Sequence, residues 1–196
     1  GYIVKVANAR MSDEDDYYLK FEGTNGGDGA GSWIECAAPG IVKSLDNNTM
    51  PHVIQRQADG DFLVKAFTYA DRTVGDNVTN PLPSFVSGKI NKVLFFRNRL
   101  AFLSGENVVL CKPGTLGTPD FFAETALTVS TVDPIDIACS STFPSDLFDG
   151  LEINTGLVLF SSNQQFLLSS DDTVLNPDTA KLRNVAAYNY NTVIPP

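Results

Sequence analysis

Short apolar runs separated by turn residues dominate this chain, and a helical period is hard to find. In the run 17–22, Tyr17, Leu19 and Phe21 fall on one face, and the residues between them fall on the other. Two more β-prone runs, 52–56 and 62–67, flank an Asp59-Gly60 pair. Such a pair favours a hairpin, because the turn requires a positive φ angle. The pattern therefore predicts an all-β fold of antiparallel strands.

Two segments interrupt this pattern. Residues 23–31 are rich in glycine and predict a flexible loop between early strands. Residues 71–83 contain Gly75-Asp76, Asn80-Pro81 and Pro83, which predict an irregular linker. This linker is our candidate domain boundary. It divides the chain into a β-rich region at 1–84 and a second unit at 85–196.

The second unit predicts repeated antiparallel meanders. The apolar run 93–96 is typical of a strand covered on both sides, and turns at 97–99 and 104–107 lead into strands at 100–103 and 108–111. Residues 157–168 repeat the order of strand, Ser-led turn and strand, with Ser161 in the place of Ser104. Repeats at this spacing are typical of propeller blades, although hairpins of a β-sandwich explain them equally well. Two blades cannot close a ring, so we expect a fragment of a longer protein.

Composition narrows the function. The chain is 43% hydrophobic and 19% charged, as in ordinary globular proteins, and its net charge is −9, with an acidic cluster at 13–16. We interpret the acidic cluster as a solvated loop. So acidic a surface does not neutralise phosphates, which argues against tight nucleic-acid binding but not against a path along which nucleic acid passes without binding. No apolar run approaches the length of about 18 residues that a membrane-spanning helix needs. The first residue is not Met and the last two are Pro195-Pro196, and we interpret the sequence as an internal segment.

Cysteine and histidine, which often act in catalysis or metal binding, form no recognisable site in this sequence. Cys36, Cys111 and Cys139 are odd in number and lack CxxC spacing, which favours buried thiols over a zinc site or a disulfide framework. His52 is the single histidine, and beside Pro51 we interpret it as a packed or hydrogen-bonded structural group. We therefore predict no catalytic residue, no cofactor-binding residue and no metal ligand, and no cofactor.

Acidic pairs and basic residues also favour structural roles. Carboxylate pairs occur at Asp13 with Asp15 and at Asp171 with Asp172, and the cluster 13–16 lacks the glycine and spacing of a calcium loop. Asp133 to Asp136 predicts a turn entering a strand, in which Asp133 caps backbone donors. The glycine-rich loop lacks a phosphate-binding motif. Arg97 and Arg99 are predicted in a hairpin turn, where they pair with acidic residues of a neighbouring strand or subunit and serve as contact elements.

A series of strings in order along the chain resembles one known family. The strings are residues 1–6 (GYIVKV), 16–21 (DYYLKF), Trp33 with Glu35, 49–53 (TMPHV), Arg56 with 58–60 (ADG), Gly75-Asp76, 79–81 (TNP), 83–86 (PSFV), Ile90-Asn91, 95–100 (FFRNRL), 102–107 (FLSGEN), 133–136 (DPID) and Gln165-Phe166. The chain is similar to the tail nozzle protein (tail tubular protein B) family of short-tailed, podovirus-type bacteriophages. The C-terminal end of the chain matches least.

The resemblance implies a central fragment of a large tail protein in the virion, assembled in the host cytoplasm. It implies a ring, of six copies, that contacts a tail adaptor protein and tail fibres and passes double-stranded DNA without specific binding. It also implies that the meanders after residue 85 are about two blades of a β-propeller. The channel-lining residues are unknown from sequence, although the net charge suggests an acidic lumen.

Two rival functions remain. A propeller adhesin would expose a cluster of aromatic residues with polar partners, yet Trp33 is the single tryptophan and most phenylalanines lie in core-like runs. A propeller hydrolase is disfavoured by the single histidine. We also expect residues 85–196 to be poorly soluble alone, because an incomplete propeller leaves sheet edges exposed.

Overall fold

A computed structural model describes residues 1–7, 16–141, 144–171 and 174–194. Within these residues the chain forms four antiparallel sheets and a short 3-10 helix, Ser84–Ser87. The all-β prediction is confirmed. Most of the acidic cluster, Asp13 to Asp15, falls outside the described residues, as do Asp172 and Pro195-Pro196.

The first half of the chain contains two small sheets. The N-terminal sheet has strands β1 (Ile3–Val6), β2 (Tyr17–Gly23) and β3 (Gly31–Cys36). The glycine-rich loop joins β2 to β3 and is solvent-exposed. Strands β4 (His52–Arg56) and β5 (Phe62–Ala66) form the predicted hairpin, with Gly60 at a φ of 98° in its turn.

The second half contains two four-stranded meanders in which each strand pairs with the next. The first meander sheet consists of β6 (Ile90–Phe96), β7 (Arg99–Ser104), β8 (Asn107–Leu110) and β9 (Ile135–Ala138). The second meander sheet consists of β10 (Leu147–Ile153), β11 (Gly156–Ser161), β12 (Gln165–Ser170) and β13 (Ala180–Ala186). The predicted three-strand meander is confirmed, and β9 is the strand that the predicted turn at 133–136 enters. Strands β10 and β13 of the second sheet were not predicted.

The two meander sheets repeat one another with a constant offset in their first two strands. Strand β10 begins at 147 and β6 at 90, and strand β11 begins at 156 and β7 at 99. The same offset separates Ser104 from Ser161. A β-bulge also recurs at the same place, between Ile90 and Lys92 and again between Leu147 and Asp149. The predicted repeat of strand, Ser-led turn and strand around Ser104 and Ser161 is therefore a structural repeat.

Buried side chains between the two meander sheets form one core, here called the inter-sheet core. Strand β6 packs against β10, and β9 contacts β13, so the sheets are stacked in the same order. The buried members of this core are Phe96, Ala101, Leu103, Val108, Leu110, Ile135, Cys139, Leu147, Leu157, Leu159, Phe166, Leu168 and Leu175. Because period-2 alternation sends one side chain in two to this face, β7, β8, β11 and β12 each contribute alternate residues.

The opposite face of the first meander sheet packs against irregular segments and forms the aromatic core. Its buried members are Leu45, Met50, Tyr69, Phe85, Phe102, Val109, Cys111, Phe121 and Phe122. Phe102 stacks on Phe121 with ring centroids 5.0 Å apart, and Phe85 meets Phe102 edge-on at 5.1 Å. This core contains residues from both sides of the predicted boundary at 84/85. The boundary itself stays a prediction.

Two expectations need correction. The run 93–96 is not covered on both sides, because Val93 and Phe95, which share one face of β6, are about half exposed. Residues 71–83 are irregular, as predicted, but they are anchored rather than loose, since Arg72, Val74 and Asn80 are buried.

Candidate functional site

The contact between the meander sheets contains an ion pair between equivalent residues of the repeat. The Lys92 ammonium lies 2.8 Å from a carboxylate oxygen of Asp149, which follows the bulge of β10 as Lys92 follows the bulge of β6. The Asp149 side chain is almost buried, whereas Lys92 is partly exposed. Beside them, the Asn91 amide donates to the Leu147 carbonyl at 3.0 Å. The two equivalent bulges thus bring the polar side chains of Lys92 and Asp149, one from each sheet, into contact.

Arg99 also links the two meander sheets, and it lies in β7 and not in the hairpin turn predicted from the sequence. The turn consists of Arg97 and Asn98, with φ angles of 45° and 62°, and Arg99 begins β7 with its side chain buried. Its guanidinium donates to four backbone carbonyls, those of Cys111, Asp133, Thr131 and Leu175. Burial lowers the pKa of Arg99. Arg99 is therefore an internal clamp and not a contact element on a turn.

Arg97 differs from Arg99 although only one residue separates them. It is solvent-exposed, and its guanidinium carbon lies 5.6 Å from the centre of the Phe96 ring. Arg97 thus lies at the surface, and its role as a contact element stays a prediction.

A second buried arginine organises residues 71–83, and no sequence pattern identified it. Arg72 donates to the carbonyls of Val42, Asp76 and Asn80 and to the Asn77 side chain. Its guanidinium carbon lies 5.9 Å from the centre of the Phe122 ring. Burial lowers the pKa of Arg72. A single arginine among turn residues gives no periodic signal, so its clamping role was not predictable from local pattern.

Asp133 and Asp136 act as caps. Asp133 accepts hydrogen bonds from the backbone N–H groups of Glu124 and Ser130, which confirms the predicted capping role. Asp136 accepts from the Ser84 hydroxyl at 2.6 Å and from the Asn107 amide at 2.9 Å. Both carboxylates are engaged in holding loops to the first meander sheet.

The histidine and the cysteines occupy structural positions. A ring nitrogen of His52 lies 3.0 Å from the Met50 carbonyl oxygen, which confirms a hydrogen-bonded histidine at a strand start. Cys111 and Cys139 are buried free thiols, as predicted, but Cys36 is only partly buried. Burial raises the pKa of all three thiols, that of Cys139 to about 12. A thiol with a raised pKa is a poor nucleophile at neutral pH.

The hairpin exposes apolar side chains on both of its faces. Ile54 lies opposite Val64, and Arg56 lies opposite Phe62, all on one face, while Leu63 lies on the other. Ile54 is 66% exposed, Phe62 69%, Val64 63% and Leu63 48%. Exposed apolar surface of this kind marks interaction sites.

An open groove of about 960 Å³ lies alongside β6. Leu45, Met50 and Phe85 of the aromatic core line it, and the exposed residues Val42, Val86 and Val93 form its rim. Its charged residues are Asp46, Lys89 and Lys92, and His52 also lines it. The groove therefore combines an apolar floor with a free sheet edge.

A third exposed feature is an aromatic cluster at one end of the N-terminal sheet. Trp33 meets Phe21 edge-on with ring centroids 5.4 Å apart and Tyr2 at 6.4 Å. Tyr2 is 72% exposed and Trp33 48% exposed. These aromatic residues therefore lie at the surface, in contrast to the phenylalanines of the two cores.

Neither a metal site nor a membrane-spanning helix is found in the described parts of the chain. There, no group of three or more His, Cys, Asp or Glu side chains is arranged to hold a metal ion. Among the same residues, no helix has the length and apolar character needed to cross a membrane.

Comparison with known proteins decides the family. The family model described as bacteriophage nozzle protein matches residues 1–196. The chain belongs to the bacteriophage nozzle protein family. The resemblance found in the sequence is confirmed, and with it the assignment to a phage tail component of the virion.

A similar relative of this nozzle-family chain is the tail tubular protein gp12 of Escherichia phage T7, which is 34% identical over 174 residues. The match covers 89% of this chain but only 21% of that relative. The chain thus spans about a fifth of the length of the curated relative.

Proposed function

We propose that this chain is part of a structural subunit of a phage tail tube, through which genomic DNA is ejected into the host. The observation that carries the proposal is the nozzle-family match, which extends over residues 1–196. The Arg99 guanidinium and the Asp133 carboxylate are buried and hydrogen-bonded to backbone groups, and the Cys139 thiol is buried with a raised pKa. These environments favour structural roles over catalytic ones.

The two meander sheets act in this proposal as successive blades of a β-propeller. Three observations support blades over sandwich hairpins. The sheets are stacked in the same strand order, their first two strands recur with one constant offset, and a bulge recurs at the same position. In a sandwich the two sheets need no such repeat, whereas a propeller is generated by it.

The assembly is proposed as a ring of six copies with an axial channel, attached to a tail adaptor protein and tail fibres. A closed ring requires heterologous contacts, in which one surface of a subunit binds a different surface of the next. The net charge of −9 favours a lumen that repels the DNA backbone, so that DNA passes without adhering.

Electron microscopy of the intact protein tests the proposal. We expect a hexameric ring whose map contains two adjacent propeller blades at residues 90–186. A monomer that binds glycans through Tyr2, Phe21 and Trp33 would instead establish the adhesin. A ring whose lumen is lined by Lys and Arg would overturn only the proposed acidic channel.

A further inference from the structure

We propose that the β4–β5 hairpin of one copy docks into the groove beside β6 of a second copy of this chain. The inference rests on the proposed function in one respect, since it requires copies that assemble. It adds the two surfaces that meet, and neither follows from membership of the family.

The hairpin has the properties of a donor. A two-stranded sheet is marginal by itself in water and is stabilised by packing against other elements. Both faces of this one are exposed, and Ile54, Phe62, Leu63 and Val64 together expose on the order of 500 Å². One partner of a standard interface buries about 800 Å², so a buried hairpin would supply more than half of that area.

The groove has the properties of an acceptor. Its floor is apolar, and Val42, Val86 and Val93 leave its rim apolar as well. Its volume of about 960 Å³ is large enough for several hairpin side chains. Strand β6, which forms one wall, is the edge strand of the first meander sheet. An edge strand beside an apolar groove is the arrangement that receives an added strand.

Charge also matches the two surfaces. The tip of the hairpin carries Asp59 and Asp61, both exposed, and the groove carries the exposed Lys89. The groove also contains Asp46, whose carboxylate accepts the Asn48 N–H. Two copies that each carry a net charge of −9 repel one another over most of their surfaces. Contact of the acidic tip with Lys89 is therefore a favourable approach, and it fixes the direction in which the hairpin enters.

The donor and the acceptor lie on the same chain but are different surfaces. A contact between them is heterologous, and one such contact leaves a free hairpin on one copy and a free groove on the other. Repetition of the contact adds copies in one direction, which is the requirement of a ring.

A charge exchange tests the proposal on the intact protein. Asp61→Lys and Lys89→Glu are each expected to weaken self-association about tenfold, measured by analytical ultracentrifugation, because each places like charges together. The two changes combined should restore association to within about threefold of the unaltered protein. Asp61 is preferred to Asp59, because the Asp59 carboxylate accepts the Asp61 N–H in the turn.

An apolar variant supplies the second measurement. Val64→Lys should weaken association at least as much and leave the melting temperature of the dissociated protein unchanged. Val193→Lys, at an 84% exposed residue outside both surfaces, is the matched control and should change neither quantity.

Three results would overturn the inference. Unaltered association in both single charge variants is one, and a double variant as weak as the single ones is another. The third is a lower melting temperature for Val64→Lys with normal association, since the hairpin would then pack within its own chain. In each of these cases the ring itself stands, whereas an intact unaltered protein that stays monomeric would refute the proposed function.

Discussion

Lys92 and Asp149 occupy the same position in two successive sheets and form an ion pair with each other at 2.8 Å. Asp149 is the more buried partner, and its other oxygen accepts the Gly150 N–H. The two residues therefore do not contribute equally. Loss of the lysine leaves a carboxylate largely out of water, whereas loss of the aspartate leaves an ammonium that water can still reach.

We accordingly predict that Lys92→Met destabilises the protein more than Asp149→Leu. The expected loss is about 2 kcal/mol for Lys92→Met, because an almost buried charge loses its partner, and about 1 kcal/mol for Asp149→Leu. Urea unfolding of the intact protein measures both. Equal losses would indicate that water reaches Asp149.

Arg99 should be intolerant of replacement even by lysine. Arg99→Lys loses most of the hydrogen bonds to four carbonyls in the connections of the two sheets and leaves some of those carbonyls unpaired, which costs about 3 kcal/mol. Arg97→Lys is the matched control, since Arg97 is exposed in the turn, and it should change stability by less than about 0.5 kcal/mol. The comparison is made by thermal and urea unfolding. A neutral Arg99→Lys variant would show that Arg99 is not a clamp.

Stability should fall in alkaline solution because of Cys139. Burial raises the pKa of this thiol from 9.0 to about 12. Above pH 9 the unfolded chain releases the thiol proton while the folded chain retains it, so unfolding is favoured as the pH rises from about 9 to about 12. Between pH 8 and pH 10 the unaltered protein should lose about 1 kcal/mol more than Cys139→Ala does. Identical pH profiles would mean that Cys139 ionises normally.

Gly75, the single glycine of residues 71–83, should not tolerate a side chain. Its φ is 71°, and an added Cβ would lie 2.8 Å from the Thr79 hydroxyl and 2.9 Å from the Asn80 Cβ. Gly75→Ala is expected to cost about 2 kcal/mol or more. In Gly27→Ala the new methyl group meets nothing within 4 Å, and this control should be nearly neutral. Unfolding of both variants decides the point, and equal stability would argue against a packed segment.

The predicted poor solubility of residues 85–196 acquires a second cause in the structure. A cut at 85 removes Leu45, Met50 and Tyr69, which cover Phe102 and Val109 on one face of the first meander sheet. We expect the 85–196 fragment to aggregate and a fragment of residues 37–196 to be more soluble. Sedimentation of the two fragments after expression measures the difference. A monomeric 85–196 fragment with a cooperative melt would contradict the expectation.

Local patterns predicted the parts of the fold that depend on local interactions. Alternation in 17–22 and the Asp59-Gly60 turn depend on near neighbours, so their strands were identified. Strand β13 was not, because none of its residues is buried and its alternation of apolar and polar residues breaks at Arg183-Asn184.

The role of Arg99 was missed for a related reason. The turn consists of Arg97 and Asn98, and Arg99 is the first residue of the next strand. The residue types alone do not reveal which of these three residues form the turn. The groove and the exposed hairpin face depend on tertiary packing, and nothing in the local pattern reports them.

The constant offset between the two meander sheets holds for their first two strands and then fails. The connection from the third to the fourth strand runs from 111 to 134 in the first meander sheet, but only from 171 to 179 in the second. The two connections thus differ in length within this chain without shifting the bulges or the pairing of Lys92 with Asp149. Sequence length should consequently vary among members of the family at this connection, while the spacing between the first strands of successive sheets stays constant.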